Sequence, residues 1–300
     1  MAYKGRRIRK KPFYKKPVFW LGTGTAALIL VLILWVCVTL FTGEPLIRRP
    51  DPTTEPTSMT RPEELEETKE TLPPPPANPY EPIDFDVNEE TGEVFLVEGG
   101  GVKGIDVSEW QGKIDWEKVR DSGVEFAIIR VGARATETGE LIADERAQSY
   151  YKGAKAAGLK IGAYFFSQSV NAEEVLEEAQ FLLDAVQDWD VEMPLVYDWE
   201  YVDIYARTSR VDGRELTDMS KLFCQTIEDA GYEPMIYFGH SQSLDMLYLE
   251  ELVEYPFWLA MYSTIMDYPY KVDMWQYTET GSVPGIDGNV DMNIWFTYEE

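Results

Sequence analysis

From about residue 102 onward, short runs rich in β-branched and aromatic residues alternate with helical stretches, and this alternation narrows the possible folds more than any other feature. The β-rich runs fall at 103–107, 126–131, 160–166, 194–199, 234–238, 257–261 and 272–277, and helical stretches at 116–122, 144–157, 172–189 and 217–230 separate the first five. The third helical stretch carries Val175, Leu176, Ala179, Leu182, Leu183 and Val186, a spacing that turns one apolar face toward a core. Gly158 and Gly231 stand where helix C-caps are expected. Strand–helix alternation specifies a parallel sheet joined by right-handed crossovers. Nearly 200 residues of it, ending on strands with no helices between them, predict an α/β fold in the form of an irregular β/α barrel. No internal repeat is visible.

The chain ahead of the barrel has a different composition. Residues 1–18 hold eight Lys or Arg and no acid, and residues 19–41 run 23 positions without a charged side chain. A helix of that length measures about 35 Å, enough to cross a hydrocarbon core of about 30 Å. A cleaved signal peptide fits less well, because the apolar stretch exceeds an h-region and no small-x-small site follows it. The positive-inside bias then leaves 1–18 as a cytoplasmic tail, 19–41 as a transmembrane signal anchor in the cell membrane, and everything beyond it extracytoplasmic. Residues 42–98 read as an acidic, Pro-rich, disordered linker: between 51 and 100 stand nine Pro and 14 acids against two bases. A short strand is expected at 93–97, before the Gly99-Gly100-Gly101 break, and the globular domain at 99–300.

Charge excludes several functions. The net charge is −26, and outside the first 18 residues the chain carries 19 bases against 53 acids. So acidic a body repels phosphate backbones, so nucleic acid is not an expected partner. One His and two Cys, Cys37 and Cys224, cannot build a Cys/His zinc centre or a disulfide framework. No metal and no cofactor are expected.

Chemistry concentrates at the C-terminal ends of the strands, where β/α barrels carry their active sites. Asp106 ends the first β-rich run, Asp198 and Glu200 end the fourth, and Asp291 follows a Gly-rich turn in GNVDMN. Carboxylates in apolar strands are costly unless paired, hydrogen-bonded or protonated. Asp198 and Glu200, two apart, share a strand face about 6.5–7 Å apart. Two close carboxylates push one pKa upward, leaving one group as an acid and one ionised. Glycoside hydrolysis needs that equipment: a proton for the leaving oxygen and a negative charge beside an oxocarbenium-like centre. Trp110, Tyr164, Phe166, Tyr197, Trp199, Tyr237, Trp258, Tyr262, Trp275 and Tyr277 cluster near strand ends, and flat rings match the C–H faces of pyranoses; about half are expected to line a cleft. His240 has no partners for a triad or a metal site, and Cys224 reads as a packed or surface thiol. Asp121, Asp144, Asp188 and Asp190 are expected as solvated charge.

The segments GIDVSEWQGKIDW, PLVYDWE and WQYTETGSVPGIDGNVDMN, in this order and spacing over about residues 102–296, resemble glycoside hydrolase family 25, the muramidase-type lysozymes. The resemblance implies an irregular (β/α)5(β)3 TIM-like barrel and hydrolysis of the β-1,4 bond between N-acetylmuramic acid and N-acetylglucosamine in peptidoglycan glycan strands. It places the family's first-strand Asp on Asp106, its Asp-x-Glu pair on Asp198 and Glu200, and its late Asp on Asp291, with Asp287 as the competitor for that last position. Glu200 is then the general acid, Asp198 assists the substrate's N-acetyl group or stabilises the oxocarbenium charge, and Asp106 and Asp291 orient and polarise them. Tyr164, Trp199, Tyr237, Trp258, Tyr262, Trp275 and Gln276 are the expected substrate-binding residues. The YFGH stretch departs from the commoner Tyr followed by Thr or Ser, and no repeat for wall binding is present, a role the membrane anchor would take. Two alternatives stand beside the muramidase: a non-catalytic wall-binding barrel, and a hydrolase of another N-acetylated polysaccharide.

Overall fold

A computed structural model of the protein describes residues 72–298. The expected membrane span at 19–41 and the linker as far as residue 71 lie outside the described residues. Among the described residues, no helix is long and apolar enough to cross a membrane.

Two short strands, β1 (Phe85–Val87) and β2 (Val94–Leu96), form an antiparallel hairpin. Eight further strands close into a barrel: β3 (Gly101–Val107), β4 (Phe126–Arg134), β6 (Lys160–Ser167), β7 (Leu195–Trp199), β8 (Pro234–Gly239), β9 (Phe257–Ala260), β10 (Met274–Gly281) and β11 (Val290–Phe296). Neighbours from β3 round to β10 run parallel, while β11 is antiparallel to both β10 and β3 and completes the ring. A short strand, β5 (Leu141–Ala143), pairs with the far end of β4 outside the ring. The helices α1 (Trp116–Asp121), α2 (Ala147–Ala156), α3 (Ala172–Val186), α4 (Gly213–Asp229) and α5 (His240–Asp245) follow β3, β4, β6, β7 and β8 in turn. Among the described residues, no α-helix follows β9, β10 or β11.

Local chemistry sets the helix starts. Asp115 accepts from the Lys118 N–H, Asn171 from the Glu174 N–H, and Asp212 and Glu215 form a reciprocal capping box at α4. That box begins α4 four residues before the expected start at 217, because Gly213 weakens the first turn's helical pattern. β11 was not among the expected strands: its alternating Asp291, Asn293 and Trp295 hide a strand whose polar face points inward.

Alternation along each strand sorts the side chains into two layers. Phe126, Ile128, Val196, Met235, Trp258 and Met274 face inward and plug the barrel beneath its C-terminal mouth. Leu195, Tyr197, Trp199, Ile236, Leu259 and Trp275 face outward into the layer beneath the helices. Gly104 is required by this plug, since a Cβ there would lie 2.1 Å from the Phe126 ring.

Residues 77–98, expected in the linker, are instead packed on the barrel. Ala77 bridges Tyr270, and Phe85 and Val94 are buried. Phe85 meets Trp275 edge-on at 5.3 Å, and Tyr80 lies 4.9 Å from Phe296. The hairpin thus covers outer faces of β10 and β11 that no helix shields. The acids and prolines of this segment mask a few widely spaced apolar anchors, which is why composition misplaces its boundary.

Candidate active site

Asp106 on β3, Asp198 on β7, Glu200 just beyond β7 and Asp291 on β11 converge on one pit at the C-terminal mouth of the barrel. The pit holds about 200 Å³, and Tyr164, Tyr237, Trp258, Tyr262 and Gln276 complete its wall with Ser108, Trp110, Arg130 and Phe166. It opens into two larger recesses. One of about 850 Å³ runs past Glu200, Tyr201, Tyr237 and Tyr262 toward His240 and Asp267. The other, about 470 Å³, runs past Trp110, Arg130 and Phe166 toward Thr136. An extended chain of rings fits such a trough with the acids near its middle.

Asp106 sits at the floor of a hydrogen-bond network. Its Oδ2 accepts from Gln276 Nε2 at 2.9 Å and Asn293 Nδ2 at 2.8 Å. Asn293 is oriented in turn by Trp258, whose indole N–H donates to Asn293 Oδ1 at 2.9 Å. The Tyr237 and Tyr262 hydroxyls donate to Gln276 Oε1 at 3.1 and 3.2 Å, so its amide can only point nitrogen-first at the carboxylate. Burial raises Asp106 to about 6, against the pull of those two amides, which favour its charged form.

The other three acids are also raised. Burial, with the charges of Glu200 and Asp106, pushes Asp198 well above the carboxylate range, and its Oδ1 has no hydrogen-bond partner. Burial raises Glu200, partly offset by its contact with Asp198. Asp291, half-buried beside Asp106, rises to about 9 and is therefore neutral at pH 7. Asp198 and Glu200, both raised, thus titrate as a coupled pair that favours keeping a shared proton, beside an Asp106 that ionises near pH 6. Arg130 is the cation in the pit wall, and Asp144 holds it at 3.0 Å.

Several expected positions are corrected. Trp199 and Trp275, expected to bind substrate, face the outer layer: both are fully buried, and their indole N–H groups donate to the carbonyls of Ser169 and Met261. Each sits one residue from an inward-facing polar side chain, and strand alternation sends it the opposite way. Asp144 is not solvated but buried, accepting from the Glu109 N–H and from Arg130. Asp287 is exposed in a turn, which leaves Asp291 in the pit. His240 lines the larger recess and packs edge-on against Tyr268 at 5.9 Å; Cys224 is a buried thiol. Among the described residues, no group of three or more His, Cys, Asp or Glu is arranged to hold a metal ion. Asn293 and Arg130 were missed by sequence reasoning. Asn293 had a usable signal, since it stands two residues after Asp291 on one strand face.

Comparison with known proteins gives a consistent set of likenesses. The model of the glycosyl hydrolases family 25 matches residues 105–286. YegX of Escherichia coli O157:H7 is 32% identical over 217 residues, covering 66% of this chain and 71% of that protein. Lysozyme M1 of Streptomyces globisporus is 30% identical over 203 residues, 64% of this chain and 67% of its own. Among solved structures, the bacterial lysozyme of Streptomyces coelicolor superposes with a TM-score of 0.54 at 27% identity, over 65% of this chain and 92% of that one.

Proposed function

Since the chain belongs to family 25 of the glycosyl hydrolases, we propose that it is a peptidoglycan muramidase, cutting the β-1,4 bond between N-acetylmuramic acid and N-acetylglucosamine. One observation carries this reading: four carboxyl groups, all raised by burial, surround a pit set midway along a trough. Glu200 lines both the pit and the larger recess, whereas Asp198 lies deeper. Glu200 therefore reaches the bond and acts as general acid. Its proton passes to the glycosidic oxygen as the C1–O bond breaks, and the leaving sugar departs with a hydroxyl. Asp198 faces the positive charge growing at C1, or steadies the acetamido group that shields it. Water then adds its hydroxyl to C1 and returns a proton to the carboxyl pair. Asp106, locked by Gln276 and Asn293, holds a fixed negative charge, and neutral Asp291 contributes a hydroxyl donor. Tyr164, Tyr237 and Tyr262 supply the walls against which sugar rings rest, while Trp258, fully buried beneath them, holds Asn293.

The same proposal extends to the whole chain. Residues 1–18 form a cytoplasmic tail, 19–41 a single-pass anchor, and the region from 42 to about 76 a tether that holds the catalytic barrel outside the cell membrane. The uncharged stretch at 19–41 and the eight bases before it support this arrangement. Tethering then sets the enzyme's local concentration at a wall that its own charge does not favour.

Purified full-length protein is expected to release reducing ends from peptidoglycan, with N-acetylmuramic acid at the new end by mass spectrometry. Glu200→Gln should abolish release while leaving circular dichroism unchanged; an active Glu200→Gln protein refutes the assignment. Recovery in the membrane fraction, lost on deleting 19–41, tests the anchor.

A further inference from the structure

The end of β7 carries the acid pair, yet the sheet stops short of Glu200. Pairing with β6 ends at Ser167–Trp199, and pairing with β8 ends at Asp198–Tyr237. The carbonyls of Trp199 and Glu200 therefore lie beyond the ladder, where strand ends normally fray into water. Here two glutamine carboxamides take them. Gln168, the first residue after β6, donates from Nε2 to the Glu200 carbonyl at 2.7 Å and to the Ser167 carbonyl at 2.9 Å. Gln242 on α5 donates from Nε2 to the Trp199 carbonyl at 3.0 Å.

Gln168 is itself held on every side. It is fully buried, and its Oε1 accepts from Thr208 Oγ1 at 3.3 Å. Its backbone carbonyl accepts from Arg207 at 2.6 Å, and Arg207 forms a two-pronged pair with Glu174, both contacts at 2.6 Å. Each polar atom of the Gln168 side chain is engaged within the protein, and the side chain is fully buried, so it does not touch a sugar. On the opposite side of the same residue pair, Trp199 donates its indole N–H to the Ser169 carbonyl at 2.9 Å. A paired, buried polar network of this kind fixes one arrangement, because any alternative leaves an unsatisfied group.

We propose that Gln168 and Gln242 are positioning residues that extend the sheet by side chain past its backbone end and thereby fix where the Glu200 carboxyl reaches in the pit. This rests on the assignment of Glu200 as general acid. Without the clamp, the peptide after Trp199 is free to swing, and the carboxyl moves with it toward the open 850 Å³ recess. The titratable groups that Glu200 faces in its clamped position are Asp198, Asp106, Asp291, Glu279, Tyr237 and Tyr262. Swinging outward exchanges that acidic, dry surrounding for water.

Full-length Gln168→Met and Gln242→Met proteins test the proposal, Met keeping the volume while removing the donors. Misplacement of a catalytic group by about 1 Å costs about 100-fold in turnover. Gln168→Met is expected to lower kcat on solubilised peptidoglycan about 10- to 100-fold, with KM within twofold. It should also move the alkaline limb of the kcat profile to lower pH, as Glu200 gains water. Gln242→Met, at a half-buried position, should shift both in the same direction by less; it carries the test alone if Gln168→Met does not fold. A merely structural role would lower Tm without moving the pH limb. Folded variants with kcat within twofold of wild type and an unmoved limb overturn the proposal. Inactive wild type, or an active Glu200→Gln, overturns the enzymatic reading instead, so the two failures are distinguishable.

Discussion

Replacing Asp106 with Asn should stabilise the protein, and only above a defined pH. Folding raises this carboxyl from 3.8 to about 6. A raised folded pKa means that the protonated form suits the folded state. Its contribution is therefore fully present below about pH 4 and lost as pH rises through 6. The difference of about two units corresponds to about 3 kcal/mol against the folded state at pH 8. The oxygen of Asn still accepts from Gln276 and Asn293, the two donors Asp106 now uses at 2.9 and 2.8 Å. The substitution thus removes a buried charge from a cluster of like charges while keeping the network. For a domain of this size each kcal/mol moves Tm by about 2–4 °C, so Asp106→Asn should melt about 6–12 °C higher at pH 8, and together with wild type at pH 4. Thermal unfolding followed by near-ultraviolet circular dichroism across pH 4–8 measures the gap, with activity assayed alongside and expected to be lost. Equal Tm values at pH 8, or a gap that persists unchanged to pH 4, would refute the idea that Asp106 is held charged against its environment.

Two further outcomes follow from the site and the packing. The kcat/KM profile should rise through about pH 6 as Asp106 ionises and fall as the Asp198–Glu200 pair surrenders its proton; a flat response between pH 4 and 8 counts against both roles. Phe85→Ala, which empties the contact with Trp275 on the side of the sheet away from the pit, should cost about 3–5 kcal/mol and speed proteolysis within 77–98 while leaving KM unchanged. Unfolding in urea and timed digestion check it, and a wild-type midpoint would show that the hairpin is not integral to the domain.

How far the sequence alone carries can be judged from particular residues. The seven expected strands are present because their apolar runs are buried on both faces, the condition under which composition reports structure most directly. Asp106, Asp198, Glu200 and Asp291 stood out because carboxylates in such runs need a reason. Trp199 and Trp275 misled because aromatic content marks burial without saying which side of a sheet is buried; only the register distinguishes the layer under the helices from the layer above the pit. β11 escaped because a strand with an inward polar face lacks the apolar signature. Gln168 was invisible for a related reason: an uncharged amide just past a strand end gains its role from a partner distant in sequence, Glu200 at 32 residues.

The hairpin at 77–98 also fixes where the preceding chain meets the barrel. The Pro76 carbonyl accepts from the Lys271 N–H at 2.8 Å, and Pro76 lies beside residues 253–257 and Asp273, at the starts of β9 and β10. The acids stand at the finishing ends of the strands. At Pro76 the chain thus joins the domain at the pole remote from the mouth, and this point of entry occupies neither side of the opening along which a long polymer would lie.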